Sequence, residues 1–273
     1  MHCTDRLVWT RSPGCGMLRN MTLFSVEGKT VVVTGGSRGI GRMIASGFVD
    51  AGATVYISSR KAAEVGKTAA ELGCTAIPAD LSTREGVSTL FEAVAQRETR
   101  LDVLVNNAGA TWGAPLEEYP EHAFDKLWGI NVKGVFHLTQ RFLPLLRAAA
   151  SPENPARVIN IGSVDGLRVP AMESYAYSAA KAAVHMLTRH LSQRLAGESI
   201  TVNAIAPGPF ESKMMAFALD DPAMREAVVS HVPLGRIGSP EDMAGTAIFL
   251  SSRAGAYLTG TVIPVDGGIS GCA

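Results

Sequence analysis

Residues 29–41 read Lys29-Thr30-Val31-Val32-Val33-Thr34-Gly35-Gly36-Ser37-Arg38-Gly39-Ile40-Gly41. The run up to Thr34 centres on three valines and shows no polar alternation, as expected for a strand buried on both faces. A glycine-rich turn follows. Ile40, Ile44 and Phe48 then recur at helical spacing. Gly52 closes that helix, and Thr54–Ser58 reads as a second strand. Strand, tight turn, helix, strand is a βαβ unit, and its crossover makes the two strands parallel.

The same alternation continues outward. Strands are expected at Thr75–Ala79, Asp102–Val105, Arg157–Ile161, Ile200–Ile205 and Thr261–Val265. Helices are expected at Lys61–Leu72, Thr83–Glu98, about 117–129, 133–149, Ser174–Ala196 and Pro240–Ser251, with residues 207–230 irregular or partly helical. The pattern shows no internal repeat and no Pro/Ser linker. It predicts an α/β fold: one domain over 21–273, a doubly wound parallel sheet with helices on both faces. Residues 1–20 carry Arg6, Arg11 and Arg19 against Asp5 and read as a poorly ordered extension.

Composition narrows the function classes. The chain has 273 residues, 47% hydrophobic and 18% charged, ample for a large core and unlike a disordered chain. Lys and Arg number 25, as do Asp and Glu, so a globally basic nucleic-acid binder is not expected. Cys3, Cys15, Cys74 and Cys272 form no CxxC pair and have no metal-ligand spacing, so neither a disulfide framework nor a metal site is expected. No apolar run approaches the roughly 18 residues of a membrane span, and Leu7-Val8-Trp9 is too short for a signal-peptide core. A reduced, cytoplasmic setting is the expectation.

In a parallel sheet, ligands gather at the carboxyl ends of the strands. Gly35, Gly39 and Gly41 stand there after the first strand, flanked by Ser37, Arg38 and Ile40. Glycine lets the chain turn and lets a pyrophosphate approach, and the helix N-terminus offers free N–H groups. The spacing is G-x-x-x-G-x-G rather than the commoner G-x-G-x-x-G, and its place in the βαβ unit points to a dinucleotide. Where an NAD site usually carries an acid after the second strand, this chain has Ser59 and Arg60. A guanidinium takes a 2′-phosphate bidentately, so the pair, with Arg38, favours NADP(H); the alternative is a solvated basic helix start. Asp80-Leu81 after the third strand suits an adenine contact or a helix cap. Asn106-Asn107-Ala108-Gly109 after the fourth permits close approach to a ribose or simply forms a turn.

Tyr177 and Lys181 are spaced i, i+4 and share one helix face. An ammonium beside a phenol favours the phenolate, and a cationic cofactor ring would help bring its pKa from near 10 toward neutrality. Ser163, after the fifth strand, is placed to bond a carbonyl oxygen, and Asn131 to anchor a water leading to Lys181. Taken singly, Tyr-x-x-x-Lys also fits an ordinary surface helix pair.

Together these motifs resemble the short-chain dehydrogenase/reductase superfamily. Thr34–Gly41, Asp80, Asn106–Gly109, Asn131, Ser163, Tyr177…Lys181, Pro207-Gly208 and Asp266-Gly267-Gly268 fall in that order, and the likeness covers about residues 26–270. The resemblance implies a seven-stranded Rossmann sheet and a tetrad of Asn131, Ser163, Tyr177 and Lys181. It adds Pro207, Gly208, Phe210 and Ser212 as cofactor contacts. It also implies a homo-oligomer, usually a tetramer, with the Asn131 and Tyr177 helices at the interfaces. Within the superfamily the C-terminal half looks like the 3-oxoacyl-[acyl-carrier-protein] reductases. That implies NADPH-dependent reduction of a 3-oxoacyl thioester carried by CoA or an acyl carrier protein. Two departures stand out. Pro209-Phe210-Glu211-Ser212 replaces the usual loop after Pro207-Gly208. Gln193 stands where carrier-binding reductases carry an Arg, flanked by Arg189 and Arg194. Phe210, Met214, Met215, Phe217 and Leu219 suit an alkyl chain or ordinary core packing. A sugar acid or cyclic ketone remains a second substrate reading, and a non-catalytic nucleotide sensor a third.

Overall fold

The computed structural model describes residues 23–272; the expected N-terminal extension, 1–20, lies outside them. Seven parallel strands form one sheet: β1 (Thr30–Thr34), β2 (Thr54–Ser59), β3 (Thr75–Pro78), β4 (Val103–Asn106), β5 (Ala156–Ile161), β6 (Ile200–Pro207) and β7 (Val262–Val265). Their spatial order is β3-β2-β1-β4-β5-β6-β7, so the winding reverses between β1 and β4. That reversal opens a crevice at the strands' carboxyl ends.

Residues of β1 alternate between the two faces, and both faces are apolar. Val31 and Val33 pack with Ile44 and Phe48 of α1 (Gly39–Asp50). Val32 packs on the opposite face with Leu104, Phe142 and Leu146. This two-sided burial explains why the strand shows no alternation in sequence. Burying each such side chain contributes about 1.5–3 kcal/mol. The remaining helices are α2 (Ala62–Leu72), α3 (Arg84–Ala95), α4 (Glu121–Trp128), α5 (Gly134–Ala149), α6 (Tyr175–Leu195), α7 (Ala216–Leu219), α8 (Pro222–Ser230) and α9 (Pro240–Ser251).

Two expectations are corrected here. The helices expected at 117–129 and 133–149 run together instead, because residues Gly129–Lys133 form a π-helical segment between α4 and α5. Gly129 and Gly134 look like breakers, yet both hold right-handed helical angles. Asp80 does not cap the following helix: Thr83 does, its hydroxyl accepting from the Gly86 N–H at 3.0 Å.

Candidate active site

A cleft of about 850 Å³ runs along the carboxyl ends of β1, β2, β4, β5 and β6. Its floor is the glycine turn. Gly35 has φ 65°, and a Cβ on Gly41 would overlap the Asn107 amide and the Gly35 carbonyl. Only glycine fits both demands. The buried Thr34 hydroxyl pins this floor. It donates to the Val105 carbonyl at 3.1 Å and accepts from the N–H groups of Asn107 at 2.9 Å and Ala108 at 3.0 Å. Asn107 Nδ2 in turn donates to the Thr34 carbonyl at 2.8 Å. Arg38 is the N-cap of α1 and its side chain makes no capping bond, which leaves the first N–H groups of α1 facing the cleft.

These features fit a dinucleotide. The turn is stripped of side chains where a pyrophosphate would lie, and a helix N-terminus stands behind it. Ser59, Arg60 and Arg38 line one end, where Ser58 Oγ is buried without a hydrogen-bond partner. The residues singled out from the sequence for the cofactor line the cleft, Asp80 and Asn106 excepted. Oδ1 of Asp80 accepts from Ser82, from its N–H at 3.0 Å and its hydroxyl at 2.7 Å. Phe210 lines the cleft but is also core: its ring fills the space left by Gly238. Ser212 Oγ accepts from the Met215 N–H at 3.3 Å, and its Cβ lies against Gly39, so the loop closes on the glycine turn.

Ser163, Tyr177 and Lys181 meet at the other end. The Ser163 loop follows β5, and Tyr177 and Lys181 both face it from α6. Ser163 Oγ accepts from the Asp165 N–H at 3.1 Å, and Lys181 Nζ donates to the Ile161 carbonyl at 2.7 Å. Lys181 Nζ lies 5.5 Å from the Tyr177 ring centroid. Burial pushes Tyr177 up to about 12, opposed by a hydrogen bond with Ser163 and reinforced by the Asp165 charge. Burial pushes Lys181 down to about 8, and Asp165 opposes that. Burial also lowers His185, one turn beyond Lys181, to about 4; its ring packs under Gly162 and Gly166, the glycines bracketing the Ser163 loop. Among these residues desolvation dominates the Tyr177 shift, and the lowering expected from Lys181 together with a cationic cofactor ring concerns the cofactor-bound site.

Asn131 sits in the π-helical segment, buried, and does not line the cleft. Its amide makes a reciprocal pair with Ala110: Nδ2 donates to the Ala110 carbonyl at 2.9 Å and Oδ1 accepts from the Ala110 N–H at 3.2 Å.

A family model described as enoyl-(acyl carrier protein) reductase matches residues 35–270. The chain is 52% identical to the rhamnolipids biosynthesis 3-oxoacyl-[acyl-carrier-protein] reductase of Pseudomonas aeruginosa over 249 residues, 90% of this chain and 97% of that protein. The chain belongs to the short-chain dehydrogenase/reductase superfamily. A second relative in this superfamily is the 3-oxoacyl-[acyl-carrier-protein] reductase FabG of Thermotoga maritima. It is 37% identical over 250 residues, covering 89% of this chain and 98% of that one. Among solved structures, a Pseudomonas aeruginosa RhlG/NADP active-site complex superposes with a TM-score of 0.89 at 51% identity, covering 91% of this chain and 99% of the other.

Several cleft residues of this superfamily member escaped the sequence reading. Asp165 and Arg168 follow β5, so the strand-end rule that found Ser163 also reaches them. Met172, Lys213, Met224, Val228 and His231 line the far wall from two loops and α8. No local periodicity marks them, since they are gathered by tertiary contact. The side chain of Phe217, singled out earlier, lies outside the described set, and Leu219 is buried.

Proposed function

We propose that the chain reduces a 3-oxoacyl thioester to the 3-hydroxyacyl thioester with NADPH. One observation carries this reading: a single cleft joins a phosphate-ready glycine turn, a Ser163–Tyr177–Lys181 cluster and a flexible apolar wall of Met172, Met214, Met215 and Met224. Methionine-rich walls adapt to alkyl chains. Similarity to two 3-oxoacyl-[acyl-carrier-protein] reductases supports the same substrate class.

When bound, the reduced nicotinamide supplies a hydride to the carbonyl carbon. Arg38, Ser59 and Arg60 hold the 2′-phosphate end, and the α1 N-terminus the pyrophosphate. Ser163 donates a hydrogen bond to the substrate carbonyl oxygen. Tyr177, held protonated at neutral pH, gives that oxygen its proton. Lys181 restrains the nicotinamide ribose and favours the phenolate left behind, which regains a proton through water held at the main chain of Asn131. Pro207, Gly208, Phe210 and Ser212 complete the cofactor's seat.

The enzyme works as a cytoplasmic homotetramer in fatty-acyl supply. In support, the helices flanking Asn131 and Tyr177 leave Phe124, Trp128, Phe136 and Met186 exposed, and no described helix is long and apolar enough to cross a membrane. Docking of an acyl carrier protein through Arg189 is a weaker electrostatic affair than two arginines would give. Arg194 is tied to Glu198 at 2.9 Å, and Glu198 is also bound by Arg147 at 2.6 Å.

The test is a steady-state panel following NADPH oxidation with matched 3-oxoacyl-CoA and 3-oxoacyl-carrier esters, a keto sugar acid and a cyclic ketone. The reading expects kcat/KM for the thioesters to exceed the others by at least tenfold. Higher kcat/KM for the sugar acid or cyclic ketone would overturn it, and no turnover of any would favour a nucleotide sensor.

A further inference from the structure

We propose that Glu64 is a specificity-determining residue, an internal counter-anion that competes with the cofactor's 2′-phosphate for Arg38. This rests on the NADPH reading above.

Glu64 lies in the first turn of α2. One oxygen, Oε1, accepts from Lys61 Nζ at 2.6 Å. That alone is an ordinary i, i+3 pair near a helix N-terminus. The other oxygen is turned elsewhere: Oε2 lies 3.7 Å from Nη1 of Arg38, which belongs to the glycine turn rather than to α2. Lys213, from the loop after β6, also acts on this carboxylate, holding it below its usual range together with Lys61 and Arg38. Three separate segments therefore aim cations at one acid. The acid stands beside Arg38, which with Ser59 and Arg60 lines the phosphate end of the cleft.

The charge balance points the same way. Three cations, Arg38, Lys61 and Lys213, act on the single carboxylate of Glu64. The excess of two positive charges suits a phosphate monoester, which carries about −1.5 to −2 at pH 7. A 2′-phosphate entering this cluster has to draw Arg38 away from Glu64 and also meets the carboxylate's repulsion. Both effects lower affinity for the phosphorylated cofactor and leave the unphosphorylated one untouched.

The test is direct binding. NADP⁺ and NAD⁺ are titrated calorimetrically into the wild type, Glu64→Gln and Glu71→Gln, with thermal midpoints confirming that each is folded. Glu71, on the same helix as Glu64, pairs with Arg42 of α1 at 3.1 Å and serves as the control. Glu64→Gln is expected to tighten NADP⁺ about two- to fivefold, the range for an exposed ion pair. NAD⁺ binding and the control stay unchanged, and the gain shrinks at ~0.5 M salt. Weaker or unchanged NADP⁺ binding in Glu64→Gln would overturn the proposal, as would an equal gain for NAD⁺. A wild type that binds NAD⁺ as tightly as NADP⁺ would instead sink the NADPH reading itself.

Discussion

Replacing Thr34 with valine keeps the shape of a fully buried side chain and deletes only its hydroxyl. The structure sets the magnitude. The hydroxyl makes one bond to the Val105 carbonyl and receives two, from Asn107 and Ala108, tying β1 to the end of β4 at the switch point of the sheet. At about 1 kcal/mol net per hydrogen bond the loss is about 3 kcal/mol. The half-buried Asn107 and Ala108 N–H groups recover part of that from water, so about 2–3 kcal/mol is expected. For a domain of this size that lowers Tm by roughly 4–12 °C. Because the same bonds hold the floor of the phosphate end, KM for NADPH rises as well. Thermal unfolding and cofactor kinetics are measured on Thr34→Val beside Thr246→Val, which loses a single bond within α9, to the Asp242 carbonyl. If Thr34→Val unfolds within 1 °C of the wild type, the network is not what fixes the floor. If it unfolds early yet keeps the wild-type KM, the floor does not depend on it.

Tyr177→Phe removes the transferable proton and keeps the ring; kcat is expected to fall about 10²–10⁴-fold with NADP⁺ binding retained, and a variant keeping more than a tenth of wild-type kcat would show that another group is the acid. Arg60→Ala should raise KM for NADPH and spare NADH, read in parallel steady-state assays; equal losses for both would assign Arg60 to folding. Burial holds Lys181 down to about 8, so its charge is present below that pH and lost above it. The profile of kcat/KM for reduction should therefore bend downward above pH 8, and a limb flat to pH 9.5 would mean that Lys181 stays charged.

The βαβ core was legible because its signals are local and steric. A strand buried on both faces cannot alternate, and a turn with positive φ at Gly35 and a forbidden Cβ at Gly41 must be glycine. The shared face of Tyr177 and Lys181 follows from helix geometry alone. The segment after β6 was not legible. Phe210 is fixed by Gly238, and Glu211 by Arg225 at 2.8 Å, and neither contact leaves a period in the sequence. The π-helical segment escaped for a similar reason: Gly129 and Gly134 are weak helix formers, and tertiary packing overrides that preference. For Asp80, the sequence could not choose between an adenine contact and a cap; Thr83 is the cap, and Ser82 bonds one carboxylate oxygen, Oδ1.

The charge state of the candidate pair Tyr177 and Lys181 was the least legible feature, since Tyr-x-x-x-Lys is the same pattern on a wet surface as in a dry cleft. Burial moves both groups toward neutrality, the phenol up and the ammonium down, so the lysine alone does not make Tyr177 a poised acid. This arrangement suits a reversible reductase. With a neutral reduced nicotinamide beside it, the phenol keeps its proton, which is the form that reduction needs. A cationic oxidised ring bound near it would favour the phenolate, the base that alcohol oxidation would need. Tyr177 therefore requires no fixed pKa near 7. A buried phenol is sensitive to the charge of its neighbour because little solvent screens the two, so the charge of a bound ring would bias its protonation in the direction each half-reaction needs.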